Sequence, residues 1–254
     1  MVRLAATVML VRPATHAFEV FMVRRSEASH FVPNAYVFPG GTVDRTDMSA
    51  RAFRRARGID RAAVAEQFRA EPPPQGASPV SAPTYEEAAG LLIAGVRELF
   101  EEAGVLLVCD AGGNSVAVRD PDRVVDFFDL LERMDLYADT SALALFSHWI
   151  TPPALSRRYN AHFFVAMAPA GQDAAADACE THDGVWIAPR EALDRYARGD
   201  IAMVYPTIKH VERLASFDSA EALMRFARTK TIYSIMPQTA ESTFTLPPQL
   251  EHAW

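Results

Sequence analysis

What the chain has little of narrows it first. Cysteine occurs only at Cys109 and Cys179 in 254 residues. Two thiols so far apart, without metal-type spacing, exclude a disulfide framework and a cysteine zinc site, and read as reduced cysteines of a cytosol-like compartment. No apolar run approaches the roughly 20 residues that a membrane-spanning helix needs. Basic residues are not in excess either. The formal charge is −7, which argues against a binder of nucleic-acid backbone, because that would carry basic stripes. An acidic balance still admits a small phosphorylated ligand when a divalent cation mediates the contact. No internal repeat is visible.

What is present suits one large domain. Half of the residues are hydrophobic, ample for a core. The opening MVRLAATVMLVRPATHAFEVFMVRRSE starts like a signal peptide, with one arginine before an apolar run. A second β-rich run, Phe18 to Val23, follows at once, and two strands joined by RPATHA account for both. Together with a C-terminal EHAW that is no S-K-L-like address, this leads to the expectation of a soluble cytoplasmic protein.

Strands are expected at Leu4–Val11, Phe18–Arg24, within AYVFPGG, and at VLLVCD, ALALFSHWIT, AHFFVAMAP and DGVWIAP. Helical patterns fall on RAFRRARGIDRAAVAEQFRA, DRVVDFFDLLERM, PREALDRYARGD and YPTIKHVERLASFDSAEALMRFART. Proline keeps EPPPQGASPVSAP out of regular structure. The most sharply marked helix starts at Thr84, which forms a capping box with Glu87, and ends at Gly104 in the C′ position. Strands dispersed among helices indicate an α/β or α+β layer fold. The tail from Pro237 reads as irregular.

The marked helix contains AGVRELFEEAGVLL. Residues three and four apart share a helix face, so Glu98, Glu101 and Glu102 lie together, with Arg97 one turn from Glu101. An ordinary solvated face would alternate its charges. Clustered hard oxygens instead suit Mg²⁺ or Mn²⁺, which neutralise the repulsion and grip phosphate oxygens. Upstream, YVFPGGTVD runs an apolar strand into Gly40-Gly41, where backbone can approach a ligand closely.

The ordered set FPGG and RELFEEAGVLL resembles the Nudix hydrolase signature: glycine, five residues, glutamate, seven residues, then R-E-aliphatic-x-E-E-x-G-aliphatic. Its second half is complete in Arg97, Glu98, Leu99, Glu101, Glu102, Gly104 and Val105. Its first half departs, because Gly41 stands fifty-six residues before Arg97. The position eight before Arg97, glutamate in the family, is Ala89, with Glu86 or Glu87 as candidates to stand in. Residues 45–83 therefore look like an insertion within the box, which has room to cover the site or to mediate a homodimer. The interrupted box is similar to the branch that includes the mammalian peroxisomal coenzyme A diphosphatase. RRSEASHFVPNAYVFPGG, HWITPPALSRRYNAHFFVA and YPTIKHVERLASFDSAEALMRF extend that resemblance. The R-S-x-x-L-R-x-H-x-G signature of bacterial coenzyme A enzymes is met at Arg25-Ser26 and in the distance to Phe38, but Ser29, His30, Val32 and Asn34 replace the rest, so the contacts made by that signature do not transfer.

The resemblance implies a Nudix α/β/α sandwich with a mixed sheet over residues 1–236, a helical and Pro-rich insertion, C-terminal helices, and a tail at 237–254. It implies a diphosphatase acting on a small nucleotide-diphosphate substrate: coenzyme A or acyl-coenzyme A, with ADP-ribose, NADH or nucleoside triphosphates as alternatives. A non-catalytic Nudix binding module is the third reading, and Ala89 is the only motif-level point for it. Glu101 and Glu102 would be metal ligands for Mg²⁺ or Mn²⁺, Glu98 a further ligand or the base, Arg97 the residue that holds them, and the Gly40 carbonyl a last ligand. Lower-ranked substrate contacts are Arg25, Arg157, Arg158 and Glu180 in ETHDGVW. Strand alternation makes Arg24 and Arg25 face opposite ways. Tyr205 and His210 receive no role.

Overall fold

The structure, a computed structural model, describes residues 2–254 except 16, 28–31, 70–81, 120, 178–180, 241–242 and 252–253. In chain order the elements are β1 (Arg3–Pro13), β2 (Phe18–Arg25), β3 (Ala35–Val37), β4 (Gly40–Thr42), α1 (Ala50–Arg54), β5 (Ala56–Arg57), α2 (Arg61–Gln67), α3 (Tyr85–Ala103), β6 (Val108–Cys109), α4 (Phe127–Met134), β7 (Tyr137–Asp139), β8 (Ala144–Ile150) and β9 (Tyr159–Met167). There follow β10 (Thr181–Ile187), α5 (Pro189–Arg198), β11 (Ala202–Met203), α6 (Tyr205–Leu214), α7 (Ala220–Thr229), β12 (Ser234–Ile235), β13 (Gln238–Ala240) and β14 (Thr243–Thr245).

The main sheet runs β11-β3-β2-β1-β9-β8-β12, with β10 also on β2 and β4 also on β1. Strand β1 is its centre. It pairs in parallel with β9 from Arg3↔Tyr159 to Val11↔Met167. Its far end takes β2, whereas its first half takes β4, with Thr7 opposite Gly40. The sheet thus splits, and Phe38-Pro39 carries the chain across the gap from β3 to β4. Ala6, Val8 and Leu10 of β1 join the core under α3, while Met9 and Val11 join the core under α5, α6 and α7. Burial on both faces explains why LAATVMLV is a continuous apolar run rather than an alternating one. The N-terminal run is a strand, as its β-rich character implied.

Helix α3 opens on the expected capping box: the Thr84 hydroxyl accepts from the Glu87 amide and the Glu87 carboxylate from the Thr84 amide. Its stretch Ala88–Arg97 is buried throughout. An amphipathic helix on a single sheet would bury one stripe only. Here the insertion covers the other side. Its Ala52, Ala56, Val64 and Phe68 belong to the α3 core, and β5 pairs with β7 in a second small sheet, β5-β7-β6. Arg51 of α1 reaches Asp126, Asp129 and Glu132 beside and on α4, at 3.8, 2.5 and 2.8 Å. The described part of the insertion is therefore built into the core.

One expectation is corrected. The tail is not irregular: β13 and β14 form an antiparallel pair, and Phe244 stacks on Tyr205 with ring centroids 5.6 Å apart. Trp254 packs against Trp149 and His210 at 5.2 and 5.1 Å. These aromatic contacts are tertiary and leave no local periodicity to read. VLLVCD is also shorter as a strand than expected, pairing only at Val108–Cys109.

Candidate active site

The last two turns of α3 bring Arg97, Glu98, Glu101 and Glu102 against β4. Arg97 is 7% exposed, and its guanidinium is fully engaged. Nε donates to Asp47 Oδ1 at 2.8 Å and Nη2 to Asp47 Oδ2 at 2.9 Å. Nη2 also reaches the Thr42 carbonyl at 3.2 Å. Nη1 lies 2.6 Å from Glu101 Oε2 and 2.9 Å from Glu98 Oε1. Such a forked pair with a carboxylate fixes orientation as well as energy. The charges of Asp47, Glu98 and Glu101 outweigh the burial that would lower the Arg97 pKa, and the guanidinium is held cationic. Arg97 thus bridges Asp47, Glu98 and Glu101 and has no donor turned outward.

Asp47 was missed at the sequence level. It is 0% exposed, and its Oδ2 also accepts from the Asp44 amide at 2.8 Å. A signal for it existed. Counted forward from Gly41, five residues intervene and the sixth is Asp47, the place of the signature's first acid. Counting back from Arg97 leads to Ala89 instead, across the insertion, which on the forward count begins after Asp47 rather than at residue 45. Ala89 is 0% exposed, so a carboxylate there would have to be buried, which is costly unless it is paired. Neither candidate stand-in approaches Arg97: Glu87 closes the capping box, and Glu86 lies 3.7 Å from Arg61.

The glycines have separate tasks. The Gly40 N–H donates to Glu102 Oε2 at 2.8 Å. At Gly41 a Cβ would press into the Glu98 carboxylate, so only glycine lets that carboxylate lie flat on β4. Burial raises the Glu98 pKa to about 7; Arg97 opposes the rise and the charge of Glu101 adds to it. Burial also raises Glu101. These are anions short of positive charge. Hard carboxylate oxygens on one helix face, with backbone oxygen nearby, are the donor chemistry that Mg²⁺ or Mn²⁺ prefers. Among the described residues no three acidic, histidine or cysteine side chains close into a ready-made ligand cage, because Glu98 and Glu101 turn to Arg97 and Glu102 to Gly40. The donor set fits a divalent ion in kind and in charge.

The other candidates within the described residues lie at the end of β2 and in the loop before β9. Arg25 ends β2 opposite Thr181 and, by alternation with Phe21 and Val23, lies on the α3 side of the sheet. Arg24 takes the other face, beside Tyr36, whose hydroxyl donates to Asp183 at 2.9 Å. Arg158 donates to the Thr151 carbonyl at 3.1 Å, and Arg157 is exposed in the same loop. Glu180 lies outside the described residues. His210, which had no role, is fully buried, with Nε2 2.6 Å from Ser147 Oγ and Nδ1 2.6 Å from the Pro206 carbonyl.

A split mixed sheet between helical layers, with an Arg-Glu-Leu-x-Glu-Glu helix laid on a Gly-Gly strand, defines a domain of the Nudix class. A family model described as the NUDT19 Nudix domain matches residues 1–214, and the chain belongs to that family. The acyl-coenzyme A diphosphatase NUDT19 of Gallus gallus is 29% identical over 252 residues, covering 85% of this chain and 66% of that protein. The Homo sapiens protein of the same name is 29% identical over 243 residues, covering 84% and 65%. The chain thus matches just under two thirds of the length of these relatives. The crystal structure of a NUDIX hydrolase from Alicyclobacillus acidocaldarius is 26% identical, with a TM-score of 0.68 over 89% of this chain and 96% of that one.

Proposed function

We propose that the protein is a metal-dependent Nudix diphosphatase that hydrolyses coenzyme A or acyl-coenzyme A to adenosine 3′,5′-bisphosphate and (acyl-)phosphopantetheine. The observation that carries the chemistry is the three-glutamate face of α3, held by the buried Arg97–Asp47 pair. What supports the substrate is the family, together with relatives named acyl-coenzyme A diphosphatase. Glu98, Glu101, Glu102 and the Gly40 carbonyl would hold the Mg²⁺ or Mn²⁺. Once bound, such an ion offsets the charge of the diphosphate and lowers the pKa of a bound water.

The chain's own part is placement. Arg97 and Asp47 keep the α3 carboxylates in one orientation, and β4 supplies a flat floor. Glu98, the more buried of the two glutamates that Arg97 touches, is the carboxylate suited to take a proton from the attacking water. The reduced-cysteine reading fits the finding that Cys109 is a free, buried thiol, and we place the protein in the cytoplasm on that ground. No helix among the described residues is long and apolar enough to cross a membrane. The substrate is a small molecule rather than a nucleic acid, in keeping with the charge of −7. Two copies pairing as a homodimer would elute at twice the mass of one chain when the purified protein is sized.

The test is to size the purified protein, then incubate it with Mg²⁺ or Mn²⁺ and, separately, coenzyme A, an acyl-coenzyme A, ADP-ribose, NADH and nucleoside triphosphates. Adenosine 3′,5′-bisphosphate from the coenzyme A substrates is the expected product. Cleavage of ADP-ribose far ahead of coenzyme A would overturn the substrate. No cleavage of any would make this a binding module.

A further inference from the structure

The last carbonyls of a helix have no partner within it and need one from elsewhere. At the end of α3 every one of them has a partner. Phe100 O accepts from Gly104 N at 2.9 Å, Glu102 O from Asp177 N at 3.0 Å, and Ala103 O from Ala175 N at 2.9 Å. Glu101 O accepts from a side chain, Nη2 of Arg123, at 2.5 Å. Nη1 of the same guanidinium donates to Ala175 O at 2.9 Å. One residue therefore grips both the end of the carboxylate helix and the loop that follows β9. Gln172 continues this seam, accepting from Leu106 N at 2.8 Å and donating to Leu106 O at 3.0 Å. Gly104 makes room for it. Its φ of +69° ends the helix, and a Cβ there would meet Arg123 Cδ and Nη1 at 3.3 Å.

The placement matters electrostatically as well. The carbonyl end of a helix is its negative pole, and in α3 that pole coincides with three glutamates. A cation bonded to the Glu101 carbonyl steadies this turn without touching the carboxylates. The loop gripped at the same time is the one that leads into β10, the strand paired along β2 up to Arg25.

We infer that Arg123 is a positioning residue for the carboxylate helix, locking the turn that carries Glu101 and Glu102 to the 172–177 loop. The kinetic half of this inference rests on the diphosphatase reading above; the structural half does not. Without Arg123, Glu101 O and Ala175 O each lose a donor and the turn loosens, and a positioned group displaced by about 1 Å can slow a reaction on the order of 10²-fold.

The test uses the full chain with Arg123→Ala and Arg123→Lys, read by amide hydrogen exchange and by steady-state kinetics. Arg123→Ala is expected to raise exchange at least roughly tenfold at Gly104, Ala175 and Asp177 while β1 and β9 keep their protection. The kcat is expected to fall roughly 10- to 100-fold with KM within about twofold, the pattern of lost alignment rather than lost binding. Arg123→Lys, which can reach one of the two carbonyls, restores part of both. Wild-type exchange at those amides overturns the inference. So does a loss of protection spread evenly through the sheet, which would mark general destabilisation, or a raised KM at constant kcat, which would make Arg123 a substrate contact. If the wild type cleaves none of the substrates, the proposed function fails and the exchange result alone decides the role of Arg123.

Discussion

Arg97 is surrounded by acceptors, and that limits what it can do. A guanidinium bonded to Asp47, Glu98, Glu101 and the Thr42 carbonyl has no fork left for a substrate phosphate. Its removal or isolation should therefore be felt first as stability. Asp47→Ala leaves a buried cation without its forked partner, a change that costs about 3–5 kcal/mol. Urea unfolding should show that loss, and an unchanged midpoint would mean that Glu98 and Glu101 suffice to hold Arg97. The glutamates should respond in the opposite way. Glu102→Gln keeps an oxygen to accept the Gly40 N–H, and Glu101→Gln keeps an acceptor for Arg97, so both variants should fold. Each should lose roughly 10²–10⁴-fold in turnover, the scale of one removed catalytic group. Near-wild-type rates in either variant would dismiss the α3 face as the reacting site.

Among the elements, α3 was readable to its caps because its signals are local: a capping box, a closing glycine and three acids at helical spacing. The strands around β1 were readable because buried strands are apolar runs. Asp47 was hard to read because its partner is fifty residues along the chain, and the insertion separates the two halves of one motif. The hairpin of β13 and β14 could not be read, since three-residue strands carry no period and depend on Phe244 meeting Tyr205. The insertion's helices were visible, but not what they cover. Their docking has a distinct signature. Arg51 joins α1 to α4 through carboxylates that are half exposed, and exposed pairs are screened by salt. Raising ionic strength towards 1 M should speed amide exchange in α1 before it affects β1, and Arg51→Ala should do the same at low salt. If α1 exchanges at the same rate in all three cases, apolar packing at Ala52 holds it instead.

For the whole molecule, acid is the condition to examine. His210 sits among Phe163, Trp149, Phe146 and Trp254, its ring 4.0 Å from Phe163. Donation from Nδ1 to the Pro206 carbonyl leaves Nε2 to accept the Ser147 hydroxyl, which is the neutral tautomer. Burial pushes its pKa down to about 3 from an ordinary 6.5, despite the opposing bond to Pro206. Between those values the unfolded chain binds the proton and the folded one does not. The stability His210 contributes is therefore complete above 6.5 and is lost as pH falls towards 3, by up to roughly 1.4 kcal/mol per pH unit. Urea unfolding at pH 7 and pH 4.5 should show this slope, and His210→Gln should reduce it, the remainder coming from His148 and His162, whose pKa values burial also lowers; an unchanged slope would place the acid sensitivity elsewhere. The pairing of β1 with β9 has a consequence of another kind, in time. Synthesis at about 5–20 residues per second puts roughly ten to thirty seconds between the making of Pro13 and of Met167. Until that interval ends, LAATVMLV lacks the strand it pairs with over its whole length. A message cut short before Met167 would therefore yield a chain with an unpaired apolar ribbon, a substrate for chaperones and proteases rather than a smaller enzyme.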